Sequence, residues 1–145
     1  FENCGTTTSR SAIDTQAGNV PLIRGVTFVN NGIAGDASSV DIGAYFEHSG
    51  SVEGCYSTSP NFFSTNGPSQ VISCVHIPAN STYCSVAIGA PHAPVIMSAV
   101  VENCLLGGIF RSVSGSAYTR AYIRGCTLTS GTALSGFAGI VVGPI

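Results

Sequence analysis

Lysine and tryptophan are absent from this chain of 145 residues, and methionine occurs once. Charged residues make up only 8%, where about a quarter is usual in a soluble domain. Five Arg stand against seven Asp plus Glu, a net charge of −2 with no basic patch, which argues against a nucleic-acid partner. Five Leu and no L-x-x-L-x-L run exclude leucine-rich repeats. The longest apolar stretches, near 95–101 and 136–145, are too short or too Gly-rich to span a bilayer, so no membrane insertion is expected. The chain has no start Met or signal-type segment and opens inside a repeated phrase. It therefore reads as a single domain, 1–145, cut from a longer protein.

What the sequence does contain is that phrase: an apolar residue, usually a charged one, Asn or Gly, then Cys or Val. Its copies are Phe1-Glu2-Asn3-Cys4, Ile23-Arg24-Gly25-Val26, Val52-Glu53-Gly54-Cys55, Val71-Ile72-Ser73-Cys74, Val101-Glu102-Asn103-Cys104 and Ile123-Arg124-Gly125-Cys126. The fourth positions fall at 4, 26, 55, 74, 104 and 126, so the steps are 22, 29, 19, 30 and 22 residues. Recurrence at that interval signals a stacked repeat.

Each copy reads as strand, bend, strand. The first residue points inward and the second, commonly charged, points out by strand alternation. Asn and Gly at the third position adopt left-handed backbone angles readily, so the bend belongs there and turns the fourth residue inward again. Two residues on, Phe28, Leu106 and Leu128 suit an inward slot; Thr6, Ser57 and His76 suit it less well. A second echo, Ser39–Ala44 against Ser85–Ala90, recurs after 46 residues, about two repeats, and Val141-Val142-Gly143 reads as a truncated third copy. Ser57–Ser69 reads as a protruding loop carrying Phe62 and Phe63, and Pro91–Pro94 as an interruption.

The pattern resembles the right-handed parallel β-helix of the pectate-lyase-like superfamily, which includes many bacteriophage tailspikes and tail fibres. The resemblance implies an all-β fold of about six coils, three short strands to a coil, with Asn stacking at a bend. Coils spaced near 4.8 Å give a rod roughly 25–30 Å long. It carries no catalytic signature.

Six Cys is an even number, which in a secreted chain suggests three disulfides and a disulfide-bonded β-sandwich as the alternative fold. Five of the six, however, hold one inward slot of the phrase, where a reduced thiol serves as a small hydrophobe; only Cys84 lies off the pattern. Stacked equivalents have parallel Cβ vectors, which suits a ladder of thiols better than bridges. With no C-x₂-C pair and three scattered His, no metal and no cofactor is expected.

Ionisable groups concentrate at Asp36, Asp41, Glu47, His48 and Glu53. Paired carboxylates across a groove suit glycoside chemistry, and the resemblance to tailspike glycosidases makes Asp41 with Glu47 the candidate catalytic pair. The competing reading is that these acids solvate a loop. His76 falls in an inward slot and is expected as a hydrogen-bonded core or corner residue; His92 lies beside an apolar run. Tyr118, Arg120 and Tyr122, near Arg111 and Arg124, form the candidate ligand-binding group, with Tyr stacking on sugar and Arg holding a carboxylate. Asn80-Ser81-Thr82 is a formal glycosylation sequon.

Three functional readings follow. The first, favoured by the resemblance and the uncharged Ser/Thr/Asn surface, is a non-catalytic attachment segment of a viral tailspike or fibre. It would bind cell-surface glycan as a homotrimer on the virion surface or outside the cell. The second is a polysaccharide depolymerase, hydrolase or lyase, on the same fold. The third is a secreted self-assembling filament subunit.

Overall fold

The computed structural model describes residues 1–4, 11–15, 22–33, 40–44, 50–65, 69–80, 83–88, 97–112, 119–129, 134–135 and 139–142. Within them every element is a β-strand, and every strand pairing is parallel. Strands are numbered in chain order. The first sheet takes β1 (Ile13–Thr15), β4 (Ile42–Ala44), β7 (Phe63–Thr65), β10 (Cys84–Ile88), β13 (Ile109–Ser112) and β16 (Leu134–Ser135). The second takes β2 (Leu22–Arg24), β5 (Gly50–Glu53), β8 (Ser69–Ile72), β11 (Met97–Glu102), β14 (Thr119–Arg124) and β17 (Gly139–Val142). The third takes the two-residue strands β3 (Thr27–Phe28), β6 (Tyr56–Ser57), β9 (Val75–His76), β12 (Leu105–Leu106) and β15 (Thr127–Leu128).

Strands adjacent in sequence never pair among the described residues; each bonds the strand three before it and the strand three after. A parallel ladder demands a crossover between its strands, and here the other two sheets supply it. In-register pairing lines equivalent residues into columns. In the second sheet Ile23, Val52, Val71, Val101 and Ile123 form a buried column. The next residues, Arg24, Glu53, Ile72, Glu102 and Arg124, form the outward column. Each buried aliphatic side chain is worth about 1.5–3 kcal/mol of transfer free energy, so the inner columns hold the fold together.

The third phrase position bends as expected. Asn3, Gly25, Gly54, Ser73, Asn103 and Gly125 have φ of 54°, 66°, 59°, 53°, 54° and 59°. Ser73 takes the same left-handed angle as its Asn and Gly equivalents, although its side chain does not favour it. After the bend, Cys55, Cys74, Cys104 and Cys126 turn into the interior. Phe28, Ser57, His76, Leu106 and Leu128 then form the inward column of the third sheet.

Four sequence-based expectations need correction. The first phrase copy is out of register with the others: Glu2 bridges Val29, the Val29 N–H donates to the Phe1 carbonyl (2.9 Å), and the Phe1 ring stacks on Phe28 at 5.6 Å. Phe1–Cys4 therefore lies against the bend that follows β3, where Asn30 Nδ2 donates to Asn3 Oδ1 at 2.8 Å. Cys4 is consequently outside the thiol column. Phe62 and Phe63 belong to the core, not to a loop; both are buried, and Phe63 begins β7. The shortest step of the repeat, Cys55 to Cys74, leaves little chain for a protrusion.

The echo of Ser39–Ala44 in Ser85–Ala90 does join β4 to β10, two strands apart in the first sheet. The actual register, Ile42 to Phe63 to Val86, lies two residues from the one the echo suggests. Val141 and Val142 belong to the second sheet, where Val142 pairs with Ile123, so that stretch continues the phrase column. Five cysteines, Cys4, Cys55, Cys74, Cys104 and Cys126, are free, and the parallel sheets differ from the antiparallel pairs of a disulfide-bonded sandwich. Pro91–Pro94 and Thr6 lie outside the described residues.

Candidate functional site

Two places gather chemistry: a polar chain in the interior and the outer face of the second sheet. The interior chain begins with Asp41, just before β4. Val40, Asp41 and Ile42 are all buried, so the carboxylate faces inward instead of onto a groove. Asn31 Nδ2 donates to its Oδ1 at 3.0 Å and the Ser57 hydroxyl to its Oδ2 at 2.5 Å. The Ser59 hydroxyl bonds it as well. Burial pushes the carboxyl up to about 6, and the bonds from Ser57, Ser59 and Asn31 limit that rise. Asn31 is itself fixed: its Oδ1 accepts from the Cys4 N–H (2.8 Å), and its own N–H donates to Ser59 Oγ (2.9 Å).

His76 continues the chain. Its Nε2 lies 2.8 Å from the Ser59 carbonyl oxygen and its Nδ1 2.8 Å from Ser85 Oγ. A carbonyl can only accept, so Nε2 carries the proton and Nδ1 accepts from the Ser85 hydroxyl. Ser85 Oγ in turn accepts from the Gly108 N–H at 2.9 Å. A side chain at Gly108 would run into the Tyr83 carbonyl, which accounts for glycine there. The imidazole stacks on Phe62 (centroids 5.6 Å apart), and burial lowers it to about 4. His76 is thus the hydrogen-bonded core residue its slot implied. Sequence reasoning missed that Ser57 and His76, the two misfits of the inward column, are served by one polar chain. The misfit itself was the available signal.

On the outer face of the second sheet the charges cancel locally. Arg24 Nη2 lies 2.6 Å from Glu53 Oε2, and Arg124 Nη2 lies 2.5 Å from Glu102 Oε1. Glu53 also accepts from Ser51 Oγ at 2.9 Å; Arg24 and then Ser51 hold its carboxyl below the usual value. Beside that column runs a second, Leu22, Ser51, Gln70, Val100, Tyr122 and Val141, on which Tyr122 is 41% exposed. Arg120 lies on the same strand as Tyr122, paired with Ser98 and Gly139. Tyr118, Glu47, Asp36, His48 and His92 lie outside the described residues. Asp41 and Glu53, from the sequence cluster of acids, are not brought together: one is interior, the other is paired with Arg24 on the outer face.

Among the described residues no three His, Cys, Asp or Glu side chains gather as metal ligands would. No helix of the described residues is long and apolar enough to cross a membrane. Compared with protein-family models, with curated proteins and with solved structures, the chain matches none.

Proposed function

We propose that this chain is a right-handed parallel β-helix segment and serves as a non-catalytic attachment element of a viral tailspike or fibre. On this reading it works as a homotrimer at the virion surface or outside the cell, and binds host cell-surface polysaccharide along the outer face of the second sheet. The winding follows if each return to a sheet after three strands is one coil, with the right hand that parallel crossovers take. The carrying observation is the column through Gln70 and Tyr122: an exposed aromatic on the outer face, beside Arg124 and Glu102. Tyr supplies a ring for a sugar face at small entropy cost, and a straight column of equivalent positions suits a repeating polymer.

Binding is preferred to cleavage because the described acids fit it poorly as catalysts. Asp41 is interior, and Glu53 and Glu102 are each occupied by an Arg. The test is a panel of immobilised capsular and O-antigen polysaccharides probed with the wild-type chain and with Tyr122→Ala. Binding to at least one polymer, weakened tenfold or more by Tyr122→Ala and without release of reducing ends, is expected. Binding untouched by the substitution, or steady release of oligosaccharide, overturns the reading.

A further inference from the structure

The interior chain holds two titratable groups whose settings pull in opposite directions. Asp41 is enclosed by donors only: Asn31 from the turn after β3, Ser57 of β6, and Ser59 beyond it. No described cation pairs with it; the amino group of Phe1 acts on it only as a weak favourable charge. A carboxylate so placed is hydrogen-bonded but uncompensated, and a proton relieves it. His76 faces the Phe62 ring, the Ser59 carbonyl and Ser85 of β10, with Ser57 and Leu106 beside it in its column. Cys74, two residues earlier, is the other titratable side chain on that stretch. A proton on Nδ1 would meet Ser85 Oγ as a donor. Ser85 would then accept from both His76 and Gly108, and its own hydrogen would need a new buried acceptor.

We propose that Asp41 and His76 are a compensating proton pair: as solution is acidified, the charge removed from the interior at one offsets the charge excluded at the other, so stability is held into mildly acidic conditions. The signs are opposite. A carboxyl raised from 3.8 to about 6 contributes stability that is full below 3.8 and is lost as pH rises through 6. An imidazole lowered from 6.5 to about 4 contributes stability that is full above 6.5 and is lost as pH falls through 4. The two windows nearly coincide. Each alone changes the folding constant on the order of a hundredfold across its window; together they cancel.

The experiment compares urea unfolding of wild type, Asp41→Asn and His76→Leu between pH 7 and pH 4. Leu is chosen because Leu106 and Leu128 fill the same column. Relative to wild type, Asp41→Asn should lose about a hundredfold in folding constant on acidification, and His76→Leu should gain about as much. If a variant does not fold, nuclear magnetic resonance titration of the wild type decides. The Asp41 carboxyl should then titrate near pH 6, with His76 still neutral, in its Nε2–H form, at pH 5. Variants that stay parallel to wild type across the range, or an Asp41 near 4 with a His76 near 6.5, overturn the proposal.

Discussion

The Cys104 thiol lies 3.5 Å from the Val71 carbonyl oxygen, the first residue of the preceding phrase, and its sulfur accepts the Cys74 N–H at 3.3 Å. Cys126 repeats the arrangement one strand on, with its thiol 3.5 Å from the Val101 carbonyl and its sulfur accepting from Cys104 N–H at 3.4 Å. Cys55 and Cys74 contact the carbonyls of Ile23 and Val52 in the same way. Each thiol therefore ties its own bend to the previous strand, which is more than filling space. The Cys126 and Cys74 neighbours and then burial push the Cys104 thiol up, and Cys74, flanked by Cys104 and Cys55, is held lower.

Reactivity follows from that placement. Native protein treated with iodoacetamide should leave Cys55, Cys74, Cys104 and Cys126 unmodified, with half-buried Cys4 reacting first. Unfolding in urea without reductant should expose all six cysteines of the chain to alkylation, as intact mass would record. Resistance of the four after unfolding would mean that they are bridged.

Substitution in the column should discriminate by shape. Val26 already occupies this slot, so Cys104→Val should cost less than about 1.5 kcal/mol. Cys104→Ala, which leaves a void and no contact to Val71, should cost about 1–3 kcal/mol. Urea midpoints measure both.

Two bend glycines separate backbone strain from steric conflict. Gly54 and Gly125 share φ +59°, but a side chain at Gly54 meets nothing within 4 Å, whereas one at Gly125 strikes Asn103 Oδ1. Gly54→Ala should cost about 1–2 kcal/mol from the left-handed angle alone. Gly125→Ala should cost more. Equal losses at the two sites would mean that the Asn103 side chain swings aside to admit the methyl group.

Much of this was legible in the sequence because bends and columns are local. A residue's alternation and the left-handed preference of Asn and Gly depend on near neighbours, and these placed Val52, Glu53, Gly54 and Cys55 correctly. Register was not legible where two local signals coincide. Phe1-Glu2-Asn3-Cys4 spells the phrase, but the pairing of Phe1 with Phe28 is long-range. Asp41 misled for a similar reason: nothing adjacent tells that Asn31, Ser57 and Ser59 converge on it from distant parts of the chain.

Phe62 supplies a test of that long-range packing. It sits edge-on to Phe28 at 6.4 Å and stacks on His76, so Phe62→Ala should cost about 3–5 kcal/mol. A loop residue would lose almost nothing. Thermal or urea unfolding separates the two.

The central claim is that equivalent residues recur every third strand in one straight column. Thr27 and Thr127 occupy one exposed column, four strand pairings apart through Tyr56, Val75 and Leu105. Spin labels at Thr27→Cys and Thr127→Cys, with Cys4 and Cys84 replaced by Ser and the column thiols buried, report the distance by pulsed electron paramagnetic resonance. Four spacings of about 4.8 Å predict a narrow distribution near 20 Å. A broad distribution, or one centred beyond about 30 Å, would contradict the column on that same spacing.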